Sequence, residues 1–167
     1  MEVSLYNTSM TQFLTQNSDI IFKLVVALGL GVVLGIERVW AHKTAGIRTY
    51  ALVSMGAALF VAISELVAEE YGAFSNFDPS RIASQIIVGI GFLGAGAIMF
   101  QGNRPVGLTT AGGLWVAAGI GVAVGFGLYS LAVIATILTL FVFVALWFVE
   151  AGLKKSNLYK KQNGEDN

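Results

Sequence analysis

The sequence contains no cysteine and a single histidine, His42. Disulfides, thiolate nucleophiles and thiolate metal sites are therefore excluded, and one imidazole cannot build a histidine metal cluster. Charge is scarce as well. Ten basic and ten acidic residues make up 12% of the 167 residues, about half the share of an ordinary soluble domain. They cancel to a net charge of zero, so no overall field draws the chain to nucleic acid. Acids are absent between Asp78 and Glu150, and no charge of either sign lies between Pro105 and Val149. The chain has no Ser/His/Asp arrangement, phosphate-binding loop or H-E-x-x-H motif, so it carries no signal of an enzyme or an ATPase. Its polar first nineteen residues lack the basic region and the small-residue cleavage site of a secretory signal.

What is present is hydrocarbon. Apolar residues make up 56% of the chain and the mean hydropathy is +0.74. This composition predicts an integral membrane protein, all-α, with one bundle of about five transmembrane helices. A first span is expected over 20–36, with Lys23 snorkelling from its outer end, and a second over 49–67. A third follows the Asp78-Pro79 pair, which suits a helix N-cap and first position. The uncharged stretch from Pro105 to Val149 would be about 68 Å long as one helix, far more than a bilayer needs. Gly125-Phe126-Gly127 is the natural break, giving spans over 108–124 and 128–149. A polar extracytoplasmic segment (1–19), a transmembrane domain (20–150) and a basic cytoplasmic tail (151–167) complete the expected organisation.

Glycine marks the surfaces on which helices should meet, since small residues let backbones approach closely in a bilayer. The third span, from Ser80 to Phe100, carries Gly89, Gly91, Gly94 and Gly96 and reads as the buried centre of the bundle. Gly31 and Gly35 form a second contact surface. Gly113, Ala117 and Gly121 recur every four residues and form a third. Gly89-Ile-Gly91-Phe-Leu-Gly94 also fits the dinucleotide-binding pattern, but no strand precedes it and no acid follows within 20 residues, so that reading is set aside. The fifth span is bulky and should face lipid, with Trp147 in an interfacial belt.

Eight of the ten basic residues fall on one side of these spans: Arg38, Lys43, Arg48, Arg104 and four lysines of the tail. The positive-inside rule places that side in the cytoplasm, with the N-terminus outside. Glu37, Arg38 and Arg48 then lie at the cytoplasmic mouth. They either terminate helices and enforce topology, or form a charged site in which Glu37 binds a cation or pairs with Arg48. His42 reads as a solvent-facing loop residue. On the outer side, Asp78 is either a helix cap or a hard oxygen ligand for magnesium, and Arg81 and Gln85 share a helix face. Glu65, Glu69 and Glu70 are the other outer acids. Thr109 and Thr110, following Arg104, read as caps of the fourth span.

Three segments carry a family resemblance. Gly31-x-x-x-Gly35-Ile-Glu37-Arg38 with Lys43-Thr-Ala-Gly46-Ile-Arg48-Thr49 is one. Asp78-Pro79-Ser-Arg81-Ile-Ala-Ser-Gln85, running on through Gly89-Ile-Gly91-Phe-Leu-Gly94-Ala-Gly96, is the second. Gly107-Leu-Thr109-Thr110-Ala-Gly-Gly-Leu-Trp115 is the third. In this order they resemble the signatures of the MgtC/SapB family. The resemblance implies a multi-pass protein of the bacterial inner membrane, linked to growth at low magnesium, to survival inside host cells and to regulation of the ATP synthase. It implies no cofactor beyond an interaction with Mg2+. The best-known member adds a C-terminal cytoplasmic domain, and this chain reads as a short member without it. Three roles follow as expectations: a non-enzymatic factor in ion homeostasis, a transporter or channel for the cation, or a module acting on another membrane complex. A homo-oligomer in the bilayer is the expected assembly, because five short spans enclose little on their own.

Overall fold

A computed structural model describes residues 17–71, 78 and 80–154. Most of the expected N-terminal segment, the turn through residue 77, Pro79 and the tail beyond residue 154 lie outside the described residues. Among the described residues, five helices are long and apolar enough to cross a membrane: α1 (Ser18–Trp40), α2 (Ile47–Tyr71), α3 (Ser80–Ala97), α4 (Leu108–Gly125) and α5 (Tyr129–Lys154). The chain is thus an all-α membrane bundle.

Close approaches fix the direction of each helix. Gly31 lies against Tyr50 and Ala51, and Gly35 against Ile47, so α1 and α2 run antiparallel. Gly113, Gly121 and Gly125 of α4 meet Tyr50, Ser54 and Val61 of α2 in rising order, so α2 and α4 run parallel. The rings of Phe22 and Tyr129 stand 5.5 Å apart and Arg38 lies on Phe143, so α1 and α5 run parallel. The start of α1 and the end of α5 are therefore at opposite ends of the bundle.

The helix ends follow local chemistry. α1 runs to Trp40, past the expected end, so Glu37 and Arg38 belong to its last turns and not to a loop. It closes with Lys43 N–H bonding to Arg38 O and His42 N–H to Val39 O. This is the double bond of a Schellman cap, with His42 at φ +53 where glycine is usual. The same cap closes α4, with Gly127 at φ +72 and Leu128 N–H bonding to Ala123 O. The expected break at Gly125-Phe126-Gly127 is thus where α4 ends. The third helix, in contrast, stops at Ala97, short of the expected Phe100. A small hairpin follows, β1 (Met99–Gln101) pairing antiparallel with β2 (Arg104–Val106). Gly102, at φ +61, supplies the positive φ that a two-residue hairpin turn needs.

The centre of the bundle is α4, not the expected third span. Ten of α4's eighteen residues are buried, among them Gly113, Ala117 and Gly121. In α3 Ile90 alone is buried. A Cβ placed on Gly89, Gly91 or Gly96 would meet nothing within 4 Å among the described residues, and one on Gly94 would rest in ordinary contact with Ala111. The reason lies in spacing. At about 100° per residue, positions two apart point to opposite sides of a helix, so Gly89 and Gly91 cannot share one contact face. Positions four apart can, and the α4 stripe has that spacing. The fifth helix is outward-facing as expected, with Leu138, Phe141, Leu146, Trp147 and Phe148 exposed.

Candidate functional site

At the end of the bundle where α1 and α5 come together beside the starts of α2 and α4, a charged pair is buried. Arg38 is 2% exposed. Its Nε donates to Glu37 Oε2, and its guanidinium carbon lies 3.4 Å from the centroid of the Phe143 ring. An arginine in hydrocarbon is costly unless its charge is balanced. Here a carboxylate supplies the counter-charge and an aromatic face adds a cation–π contact. Tyr50 is fully buried beside them, seated in the space left by Gly113. Its hydroxyl makes a long, weak bond of 3.5 Å to the Thr110 carbonyl. The cluster ties α1, α2, α4 and α5 at one end.

The structure separates the sequence candidates. Glu37 pairs with Arg38, not with Arg48, which is exposed in the first turn of α2 and forms no ion pair among the described residues. The reason is geometric: Glu37 and Arg38 sit inside α1, where the arginine can fold back against its neighbour under Phe143. Thr109 and Thr110 fall within the first turn of α4 and do not cap it. The N-cap position is Gly107, at φ +90, and no side-chain cap bond is made there. A Cβ at Gly107 would strike the Ala97 carbonyl, so close packing of the hairpin against the end of α3 takes precedence over a capping side chain. Thr110 is buried, Thr109 and Arg104 are exposed, and His42 is exposed as expected.

Asp78, Arg81 and Gln85 lie at the opposite end, one bundle length away. Asp78 Oδ1 accepts the Ser80 N–H at 2.9 Å, and its carbonyl accepts the Arg81 N–H at 3.1 Å, the geometry of an N-cap. Hydrogen bonds from the Ser80 side chain and backbone hold the Asp78 carboxyl below its ordinary value. Arg81 and Gln85 are exposed on the same face of α3. A second cluster at this end was not expected. Lys23 does not snorkel to the headgroups. Its Nζ bridges Glu65 Oε2 at 2.7 Å and Asp19 Oδ2 at 3.2 Å, and its side chain is 12% exposed. The four-residue spacing of Asp19 and Lys23 was the available signal for half of this bridge. Lys23 to Glu65 and Arg38 to Phe143 are long-range contacts with no signature in local spacing. Ser54 and Ser64 of α2 are buried, and their hydroxyls have no hydrogen-bond partner among the described residues.

A multi-pass helical membrane bundle, closed by a buried ion pair at one end and a lysine bridge at the other, is the class of protein these features define. Comparison with known proteins places it further: the chain belongs to the MgtC family, which matches residues 24–151. It is 39% identical over 127 residues to the "Putative magnesium transporter YhiD" of Escherichia coli, covering 75% of this chain and 59% of that protein. It is 43% identical over 131 residues to the uncharacterized protein slr0014 of Synechocystis, covering 77% and 53%. It is 45% identical over 120 residues to protein MgtC of Salmonella typhimurium, covering 72% and 49%. The chain thus spans about half the length of the curated relatives it matches. No solved structure matches it significantly.

Proposed function

We propose that this protein is a non-enzymatic factor of the bacterial inner membrane that serves magnesium homeostasis and adaptation to low magnesium without itself conducting the ion. Family membership and the name of the YhiD relative support the magnesium connection. The non-conducting part rests on one observation, the closure of the interior. The glycine face of α4 meets α2 at backbone distance, so that a Cβ on Gly121 would overlap the Ser54 carbonyl. Arg38 and Glu37 neutralise each other at one end, and Lys23 occupies the carboxylates of Asp19 and Glu65 at the other. Cytoplasmic placement of the Arg38 end follows from the basic residues gathered there.

Two measurements test the proposal. Purified protein in proteoliposomes loaded with a magnesium-sensitive dye should admit no more Mg2+ than empty vesicles. Flux above that background would favour the rival reading, a transporter, which the YhiD name supports. In a host deleted for its own family member, the chain should restore growth at low magnesium. Asp78→Asn keeps a capping side chain and removes the exposed charge. It should be made at a normal level and fail to restore growth, since a hard cation at the outer face needs the carboxylate. Full restoration would leave Asp78 as a cap alone.

A further inference from the structure

Helix α3 packs chiefly on α4 and stands away from α2. Between α2 and α3 runs a lateral groove of about 500 Å3, walled by Gly56 and Phe60 on one side and Gln85, Gly89 and Leu93 on the other, with Ala118 of α4 on its floor. Gly56 and Gly89 leave open space: a Cβ on either would meet nothing within 4 Å among the described residues. Both walls belong to membrane-spanning helices, so the groove opens into the hydrocarbon layer, where water cannot fill it and a void forfeits dispersion contacts.

The dimensions choose the occupant. On α3 the groove extends from Ile82 to Leu93, about 16 Å at about 1.5 Å per residue. Even with all the open space between its walls counted, about 1000 Å3, the cross-section over that length is about 60 Å2, whereas a helix with side chains, 10–12 Å across, needs roughly 80–110 Å2. The groove is too narrow to seat a helix and wide enough for an alkyl chain. Its lining is apolar except at one end, where Gln85 faces it. One turn further out, on the same helix face, stands the exposed Arg81, the second residue of α3 and therefore at headgroup level. The nearby Asp78 carboxylate is turned onto the Ser80 N–H.

We infer that this groove binds one phospholipid, an acyl chain lying between α2 and α3 and the phosphate held by Arg81 and Gln85. The lipid fills the gap that keeps α3 from α2 and so completes the bundle on that side. An anionic headgroup, phosphatidylglycerol, binds better than zwitterionic phosphatidylethanolamine because Arg81 contributes charge as well as hydrogen bonds.

Native mass spectrometry of the full chain, purified in mild detergent and supplied with phosphatidylglycerol, tests the site. The wild-type protein should retain one phospholipid per chain. Gly56→Leu with Gly89→Leu fills the groove from both walls, each side chain starting from a Cβ position clear of its described neighbours, and should abolish retention while the protein stays folded. Arg81→Gln, at an exposed position, should lower retention of phosphatidylglycerol several-fold and narrow its preference over phosphatidylethanolamine. Gly91→Leu, outside the groove, should leave retention unchanged. Equal occupancy in the wild type, the filled groove and Arg81→Gln would reduce the lipid to unspecific surface coating and overturn the site. A dimer that Gly56→Leu with Gly89→Leu dissolves would overturn it in favour of a second copy.

Discussion

Helices α3 and α4 are both eighteen residues long, both rich in glycine and both apolar, yet one forms the rim of the bundle and the other its centre. The difference teaches what glycine needs in order to make a contact. In α4, Gly113, Ala117, Gly121 and Gly125 recur every four residues. They meet Tyr50, Ser54, Ala57 and Val61 of α2, spaced at three and four. Two helices with matched stripes can bring their backbones together along their length. In α3, Gly89 and Gly96 fall on one side and Gly91 and Gly94 on the other, so the glycines are divided between two opposite faces. Such a helix carries no unbroken small-residue stripe; it closes on α4, with Gly94 against Ala111, and not on α2. The open groove beside α2 is the consequence.

The sharpest way to break this comparison is to place the same bulk in each helix. At Gly121 a new side chain would overlap the Ser54 backbone carbonyl, which cannot swing aside as a side chain can. Gly121→Leu should therefore cost more than the ~1–3 kcal/mol of ordinary overpacking and leave little folded protein. Gly91→Leu, which enters open space, should melt within a degree or two of wild type. A thermal melt in detergent, read by fluorescence-detected size exclusion, compares the two directly. Similar losses in both would mean that the outer side of α3 is covered in the assembled protein.

The next effect sharpens the comparison at the closed end of α4. Gly113 makes room there for Tyr50, and the edge of Phe143 lies against the same glycine, beneath the Arg38 guanidinium. Arg38→Ala removes the counter-charge and leaves Glu37 partly buried without it. Breaking a buried pair by deleting one partner costs about 3–5 kcal/mol. Glu37 side-chain exposure is 14% against 3% for Arg38, so the lower part of that range is expected. Replacing the whole pair, Glu37→Gln with Arg38→Met, should recover most of the loss, since two neutral residues of similar size need no mutual compensation. A double variant as unstable as Arg38→Ala would show that the contact on Phe143, and not charge balance, carries the stability.

Much of the fold was legible from simple patterns. The five spans appear in the expected order with ends shifted by a few residues, and the break at Gly125-Phe126-Gly127 and the stripe through Gly113 and Gly121 lie where the uncharged run and four-residue spacing place them. The same spacing rule denies α3 a central place, because Gly89 and Gly91 are two apart and point to opposite sides of the helix. The chemistry was less legible. Arg38 was visible as an unusual charge at a span end, but its partner Phe143 is 105 residues away and looks like any other aromatic of a lipid-facing helix. Lys23 resembled a snorkelling lysine, because Glu65 approaches it only once α1 and α2 pair antiparallel. Thr109 and Thr110 had capping chemistry in the right place, yet the close fit of Gly107 against Ala97 decided the N-cap by space.

The smallest expected effect is the most telling about α3. Alanine at Gly91 adds one methyl group to a helical position with nothing within 4 Å. It removes the conformational freedom of glycine from the unfolded chain and should stabilise the helix by up to about 0.5–1 kcal/mol. The same change at Gly119, on the open side of α4, should act with the same sign, so the two serve as matched probes of exposed glycine in the two helices. Alanine at Gly121 should reverse the sign, because even one carbon would overlap the Ser54 carbonyl. The three melting temperatures thus separate helix identity from helix face. If Gly91→Ala and Gly119→Ala rise together while Gly121→Ala falls, contact is decided by face. If Gly91→Ala falls with Gly121→Ala, the outer side of α3 is packed against another chain in the membrane, and the rim of the monomer is an interface.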